Sequence, residues 1–366
     1  MQSILDWCMI ILGFPAAALL FFRIPKLPRI KSHDPLPDVS VVIPARNEAK
    51  TLPLLLGDLN RQTFRPLEIL CVDDASEDDT ANIAVRCGAR LLSAEAKPDG
   101  WIGKSWAAQK GADAAHGSLL VFLDADVRLA QDGLLRIVTA YANGGTLSVQ
   151  PFHRTKSAAE QLSLFFNLVQ IAANGTALPR PVNLGLYGPV IAISRADYAA
   201  IGGHESVKSS IVEDMSLGEQ LKKHNIPYRL FVGDAGVSFR MYPGGLPDLL
   251  TGWSKNLASG AAKTPVWLFA AVFFWLASTA AVSIQLIRAL AAGGGFAAAA
   301  LPAALYLGWV ILLFVVGRRI GKFSPAAYLL YPVSLLVFFA VFAYSGFVRL
   351  FRLKVKWKGR MISLGR

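Results

Sequence analysis

Between about Leu36 and Lys263, short apolar runs alternate with stretches of helical periodicity. VSVVIP (Val39 to Pro44), LEILCVDD (Leu67 to Asp74), ARLLSA (Ala89 to Ala94) and LLVFLDAD (Leu119 to Asp126) read as buried strands, with helical segments between them. Strands that alternate with helices pack as βα units, so the pattern predicts an α/β fold around a mostly parallel sheet. Polar or acidic groups close three of these strands: Arg46, Asn47 and Glu48 after the first, Asp73 and Asp74 after the second, Asp124 and Asp126 after the fourth. Open α/β sheets bind ligands at the carboxyl ends of their strands, so these groups are expected to converge on one crevice.

The pattern changes at both ends of the chain. An apolar run from Trp7 to Phe22 is followed by Arg23, Lys26, Arg29 and Lys31, while the few residues before it hold Asp6 and no Lys or Arg. A cleaved leader carries its positive charge ahead of the apolar run, so residues 1–31 read as a retained membrane anchor with a cytosolic basic flank. The run is short and contains Pro15, which leaves an interfacial anchor as the alternative. Three further stretches, Pro265 to Ile287, Phe296 to Val316 and Ala326 to Val348, each approach the roughly 20 residues that span a bilayer. They predict a membrane region over 264–348, a cytosolic domain over 36–263 and a basic tail over 349–366.

Arg318, Arg319 and Lys322 mark the loop after the second of these stretches as cytosolic. A third crossing would then carry Arg349, Arg352, Lys354, Lys356, Lys358 and Arg360 outside, against the same bias. Either one segment is re-entrant, broken at Pro332, or the bias fails here.

Composition sharpens this division. Of 366 residues, 54% are hydrophobic and 17% charged, and the apolar excess sits in the two end regions. The net charge of +12 falls largely beside apolar segments, where it would meet anionic lipid head groups, which argues against a nucleic-acid partner. Cys8, Cys71 and Cys87 lack metal-ligand spacing and read as reduced, structural thiols. There is no G-x-G-x-x-G after the first strand and no G-x-x-x-x-G-K-[ST] motif, which removes the phosphate cradles of dinucleotide dehydrogenases and P-loop enzymes.

A bound nucleotide would therefore need a cation for its phosphates. Asp124-Ala-Asp126 at the end of a buried strand is the natural holder, since hard carboxylates suit Mg²⁺ or Mn²⁺ completed by substrate phosphates. After the second strand, Ser76 is expected to cap a helix, leaving Asp73 or Asp74 to accept a hydrogen bond from a base imino group. Lys104, in GWIGKSWAAQKGA, enters a helix and could neutralise phosphate or touch the base, while Trp101 and Trp106 could simply pack. Glu213 and Asp214 are expected immediately before an amphipathic helix carrying Met215, Leu217 and Leu221; facing the crevice, one of them could deprotonate an acceptor hydroxyl. The apolar face of Glu160 to Gly175, with Leu162, Phe165, Phe166, Val169 and Ile171, is either domain core or a membrane-facing surface.

VVIPARNE, VDDASEDDT, FLDADV and VEDMSLGEQL stand in an order that resembles the membrane-bound family 2 glycosyltransferases, from Val41 to Leu221. The resemblance implies a GT-A catalytic domain between membrane helices at both ends, and inverting, metal-dependent transfer of a hexose from a UDP-sugar to a membrane lipid. It implies that Pro44, Ala45 and Glu48 line the nucleotide pocket, with Arg46 beside them, that Asp74 with Asp73 recognises uracil, and that Asp124 faces the nucleotide-sugar. Asp126 would bind the metal and Asp214 would be the general base, next to Glu213. GWIGKSWA, GLYGPVIAISRADYAAIGG, GWSKNLASGA and WKGR look most like the diaponeurosporenoate glucosyltransferase branch, whose acceptor is a carotenoid acid, and the hopanoid-associated enzymes look similar. Gly188, Trp253 and Lys255 then become possible acceptor or diphosphate contacts. The Q-x-x-R-W motif of processive synthases is replaced by GWSKN, which argues against a polymerase. A plasma-membrane, multi-pass protein with a cytosolic catalytic domain is expected; glucose is the family's suggestion for the sugar, and the sequence does not fix the oligomeric state.

Overall fold

The computed structural model describes residues 2–29, 35–94, 97–293, 295–351, 354–357 and 360–363. The side chains of Lys255 and of the basic tail beyond Phe351 lie outside the described residues, as does Lys31. Eleven of the strands build the region that carries the acids: β1 (Val39–Ala45), β2 (Glu68–Asp73), β3 (Arg90–Ser93), β4 (Leu119–Leu123), β5 (Val127–Leu129), β6 (Leu147–Gln150), β7 (Phe152–Arg154), β8 (Val190–Ser194), β9 (Arg229–Val232), β10 (Val237–Phe239) and β11 (Gly321–Lys322). The four runs read as strands from the sequence are β1 to β4, and each ends within three residues of its expected boundary.

The main sheet has the order β3-β2-β1-β4-β8-β6-β9. Its first four strands are parallel, β8 runs antiparallel to both β4 and β6, and β6 and β9 are parallel again. The sheet is thus mixed and mostly parallel. Both faces are covered, which is why the strands are apolar on both sides. Leu52, Leu55, Leu56, Leu134 and Ile137 pack on one face; Ala107, Ala108, Tyr198, Leu217 and Leu221 pack on the other. A smaller sheet, β11-β7-β10-β5, stands beside it, and β11 belongs to the loop that follows the second of the long apolar helices.

Among the described residues, three helices are long and apolar enough to cross a membrane: Val266–Ala291, Phe296–Gly317 and Tyr331–Leu350. All three are C-terminal. Among the described residues the N-terminal helix Gln2–Leu20 contributes only the shorter apolar stretch Asp6–Leu20, so the expectation of a spanning helix at each end is met at the C-terminal end and not at the N-terminal one. It runs antiparallel along Val266–Ala291, with Gln285 Nε2 donating to Asp6 at 2.8 Å and Ser278 Oγ donating to the Ile10 carbonyl at 3.0 Å. The helices touch at Gly13, where a Cβ would fall 2.0 Å from that of Ser278.

Helix Leu164–Ala173 joins this apolar assembly to the sheet. Phe165 stacks on Trp275 at 5.9 Å and Phe166 stacks on Trp253 at 5.0 Å, so the apolar face read from Glu160 to Gly175 is core. Its neighbours in that core, Leu268, Tyr331 and Phe338, come from the C-terminal helices.

Candidate active site

The β1–β4 ladder ends at Val42 opposite Phe122, and beyond it the two strands part. Pro44 sits in this opening, where its missing amide removes no β4 rung. The residues after β1 and β2 adopt left-handed backbone at Asn47 (φ 53°) and Ala75 (φ 52°), a conformation that costs energy in non-glycine residues and is held here by cross-links between the loops. Arg46 supplies three of them: its guanidinium donates to the carbonyls of Asp74 and Ala75, each at 2.6 Å, and pairs with Glu77 at 3.3 Å. Glu48 accepts from the Thr51 hydroxyl, and its amide donates to Thr80 Oγ1 at 2.8 Å.

Asp73 and Asp74 are buried at the end of β2. Asp73 Oδ2 accepts from the Ser76 amide at 3.2 Å, whereas its Oδ1 is buried without a partner among the described residues. Ser76 does not cap the next helix, contrary to expectation. That helix, Thr80–Arg86, begins four residues later, and the Ser76 hydroxyl instead accepts from the Asn47 amide at 3.0 Å. Linking the loops after β1 and β2 takes precedence over capping.

At the end of β4, Asp124 meets Lys104, the second residue of helix Gly103–Ala114. Lys104 Nζ lies 2.8 Å from Asp124 Oδ1 and 3.4 Å from Glu213 Oε1. Burial opposes the lysine's charge, but Asp124, Glu213 and Asp214 together hold its pKa well above the ordinary range, so it stays a cation. Glu213 and Asp214 are the first two residues of helix Glu213–Lys223 and lie inside it rather than before it. The Asp214 carboxylate is fixed by backbone amides: Gly188 donates to Oδ2 at 3.0 Å and Met215 to Oδ1 at 2.8 Å. Burial, then the neighbouring Glu213 charge, push Asp214 up to about 6, against the pull of Lys104 and these amides. A Cβ on Gly188 would lie 3.0 Å from Asp214 Oδ2 and 3.4 Å from Lys104 Nζ, so the close approach depends on glycine there.

One cavity gathers Pro44, Lys104, Asp124, Gly188, Glu213 and Asp214. His204, which the sequence reading passed over, lines it too. Burial lowers His204 to about 4, leaving it neutral, and its Nδ1 lies 2.7 Å from the Tyr198 hydroxyl. No spacing or strand-end position marks this residue; only the fold brings it beside Glu213. Asp126 lies outside the lining; desolvation, and after it the Asp126 charge, holds the partly buried Tyr242 phenol far above its usual pKa. Trp253 is buried in helix Leu246–Lys263 between Phe166 and Tyr242, away from the cavity, and Trp101 packs edge-on against Trp106 at 5.1 Å. Among the described residues, no three His, Cys, Asp or Glu side chains gather into a metal cage.

Residues 40–165 match the profile of Glycosyl transferase family 2. The chain is similar along most of its length to a 4,4'-diaponeurosporenoate glycosyltransferase of Staphylococcus haemolyticus, with 34% identity over 89% of this chain and 88% of the relative. The chain belongs to glycosyltransferase family 2. The protein of the same description from Staphylococcus aureus (strain USA300) is 32% identical over 90% of this chain and 89% of its own. Among solved structures, the fold of this glycosyltransferase resembles that of mannosyltransferase PcManGT from Pyrobaculum calidifontis, at a TM-score of 0.57 and 19% identity. That match covers 94% of this chain and 99% of PcManGT, which was solved with GDP-Man and Mn²⁺. The α/β region is accordingly of the GT-A type.

Proposed function

We propose that this family 2 enzyme transfers a hexose, glucose in the first instance, from a UDP-sugar to a membrane lipid acceptor of the carotenoid-acid class, with inversion at the anomeric carbon. The observation that carries the reading is Asp214: a half-buried carboxylate at the cavity, oriented by two backbone amides and raised to about 6. A base with that pKa is ionised at neutral pH yet basic enough to take a proton from a hydroxyl as it attacks. Lys104 holds a positive charge beside Asp124 and Glu213, where the leaving diphosphate would develop negative charge. The unpartnered Asp73 Oδ1, next to Asp74, offers the acceptor that a uracil N–H requires. The cytosolic catalytic domain is assigned to residues 36–263 and the membrane region to 264–348.

Asp124 and Asp126 follow β4 two residues apart, and these hard carboxylates are the residues that would hold a divalent cation, in the manner of Mg²⁺ or Mn²⁺ ions that complete their shell with phosphate oxygens. When bound, such an ion would neutralise charge on the diphosphate. Lys255 remains a candidate for contact with the diphosphate or the acceptor, whereas the packing of Trp253 against Phe166 makes that residue a support for the region.

The acceptor class decides how much work falls to Asp214. The relatives are named for 4,4'-diaponeurosporenoate, a carboxylate by its name. A carboxyl with a pKa of about 4–5 is already ionised at neutral pH and needs no base. The testing experiment is transfer of radiolabelled sugar from UDP-glucose, UDP-galactose and UDP-N-acetylglucosamine to a lipid extract containing carotenoid acids and hopanoids, with Mg²⁺, Mn²⁺ or chelator. The expected result is metal-dependent labelling of an organic-soluble product that disappears in Asp126→Ala. No labelling from any donor by folded protein would sink the reading.

A further inference from the structure

Helix Tyr331–Leu350 is long and apolar enough to cross a membrane, yet neither of its ends reaches the far end of the other two such helices. Its approach begins in the α/β region, where Gly321–Lys322 forms β11 against β7 and the Ser324 amide donates to Gln161 Oε1 at 2.9 Å. The chain then climbs through Pro325–Leu329 to a break at Leu330. Here the Tyr306 hydroxyl donates to the Leu329 carbonyl, and Tyr331 stacks on the Tyr306 ring at 4.9 Å. Tyr306 is midway along Gly295–Gly317, so at 1.5 Å per residue the break stands about 16 Å above the α/β end of that helix, roughly half a bilayer core.

From the break the helix comes back. Phe338 packs edge-on against Phe166 at 5.2 Å, and Ser345 Oγ donates to the Ser254 carbonyl of helix Leu246–Lys263 at 2.5 Å. Val348 packs on Ile211, two residues before Glu213. A crossing helix that set out from the α/β side would end level with the turn at Ala292 and Gly293. This one ends beside the catalytic acids.

Its outer face says what covers it. No charged residue occurs from Tyr331 to Val348, and Val333, Leu336, Phe339, Ala343 and Phe347 are exposed along one side while Leu335, Phe338 and Val341 are buried on the other. The exposed stripe accompanies the exposed apolar faces of the two neighbouring helices, represented by Ile284 and Ile311. Arg318, Arg319 and Lys322, all exposed, flank its approach, where anionic head groups would lie.

We infer that Pro325–Leu350 is a re-entrant element whose outer face lies among the acyl chains of the leaflet next to the α/β region, bringing that leaflet to the entrance beside Glu213 and Asp214. The acceptor half of this inference rests on the lipid-acceptor reading above; the topological half does not. Both termini of the element then share one side of the membrane, and Arg349 stays with Arg318 and Arg319 rather than crossing.

The test reads position without turnover, so it stands whether or not the acceptor assignment does. In full-length Cys8→Ser protein expressed in cells, Lys322→Cys, Phe351→Cys and Ala292→Cys are each treated with an impermeant maleimide before and after permeabilisation. Lys322→Cys and Phe351→Cys are expected to label only after permeabilisation and Ala292→Cys in intact cells; labelling of Phe351→Cys together with Ala292→Cys would overturn the inference. Nitroxides at Val333→Cys, Leu336→Cys, Ala343→Cys and Phe347→Cys in phosphatidylglycerol-containing vesicles should show lipid exposure that is deepest near Val333 and shallower toward Phe347. A profile that passes through the bilayer centre, or nitroxides that meet only water, would also overturn it.

Discussion

The acid-lined cavity and the apolar helical assembly satisfy their polar groups in opposite ways. In the cavity the charges answer one another: Lys104 sits between Asp124 and Glu213, and Asp214 is held by the amides of Gly188 and Met215. In the apolar assembly the indole N–H groups of Trp253, Trp275 and Trp309 are buried without partners among the described residues, and the rings are held by stacking and shape. The first region therefore depends on placing a few atoms to within tenths of an ångström, and the second on filling volume. Damage to the first should change chemistry with little loss of fold, whereas damage to the second should change stability first.

The largest expected effect is Asp214→Asn assayed with a hydroxyl acceptor. Removing the base should lower kcat about 10²–10⁴-fold, while thermal unfolding in detergent stays close to wild type. With a carboxylate acceptor the same variant should lose far less, and equal losses for both acceptors would remove the base role. On the other side of the comparison, Trp275→Ala opens a hole between Phe21 and Phe165 and should destabilise the protein by about 3–5 kcal/mol, measured by denaturation in micelles, with kcat of the remaining folded fraction unchanged.

Gly188→Ala tests whether the cavity is as exacting as claimed. The added methyl presses on Asp214 Oδ2, and a shift approaching 1 Å at the base should cost about 10²-fold in kcat/KM with no change in unfolding temperature. The smallest effect is the pH dependence. Asp214 works as a base only when ionised, and its rise to about 6 moves the acid limb up from the usual carboxylate range. At pH 5 about one-tenth of it remains ionised, so kcat/KM with a hydroxyl acceptor should fall about tenfold between pH 7 and 5. With a carboxylate acceptor the limb should lie lower, near the acceptor's own pKa of about 4–5.

Much of the first half of the molecule could be read from local pattern alone. Short runs that are apolar on both faces and rich in Val, Ile and Leu read as buried strands, and the acids at the ends of β2 and β4 mark where those strands stop. Helix entry at Lys104 and at Glu213 was legible for the same local reason. Ser76 was misread because a hydroxyl before an acidic run looks the same whether it caps a helix or bridges to a neighbouring loop, and the Asn47 amide that takes it is 29 residues away. The antiparallel β8 was illegible too, since its apolar residues fit either direction and its partners are β4 and β6.

The chain's own order of residues determined the βα alternation, the acids at the strand ends, the family and the apolar segments, because each of these is written in neighbouring positions. Only tertiary structure decided that Lys104 pairs with Asp124 and Glu213, that His204 joins the cavity, and that Gly188 orients Asp214, because these contacts join elements tens of residues apart. It also decided the path of Tyr331–Leu350. Hydropathy measures how apolar a helix is and not where its ends are tied; here Gln161 holds the approach and Ser254 and Ile211 hold the return, all on the side of Glu213 and Asp214.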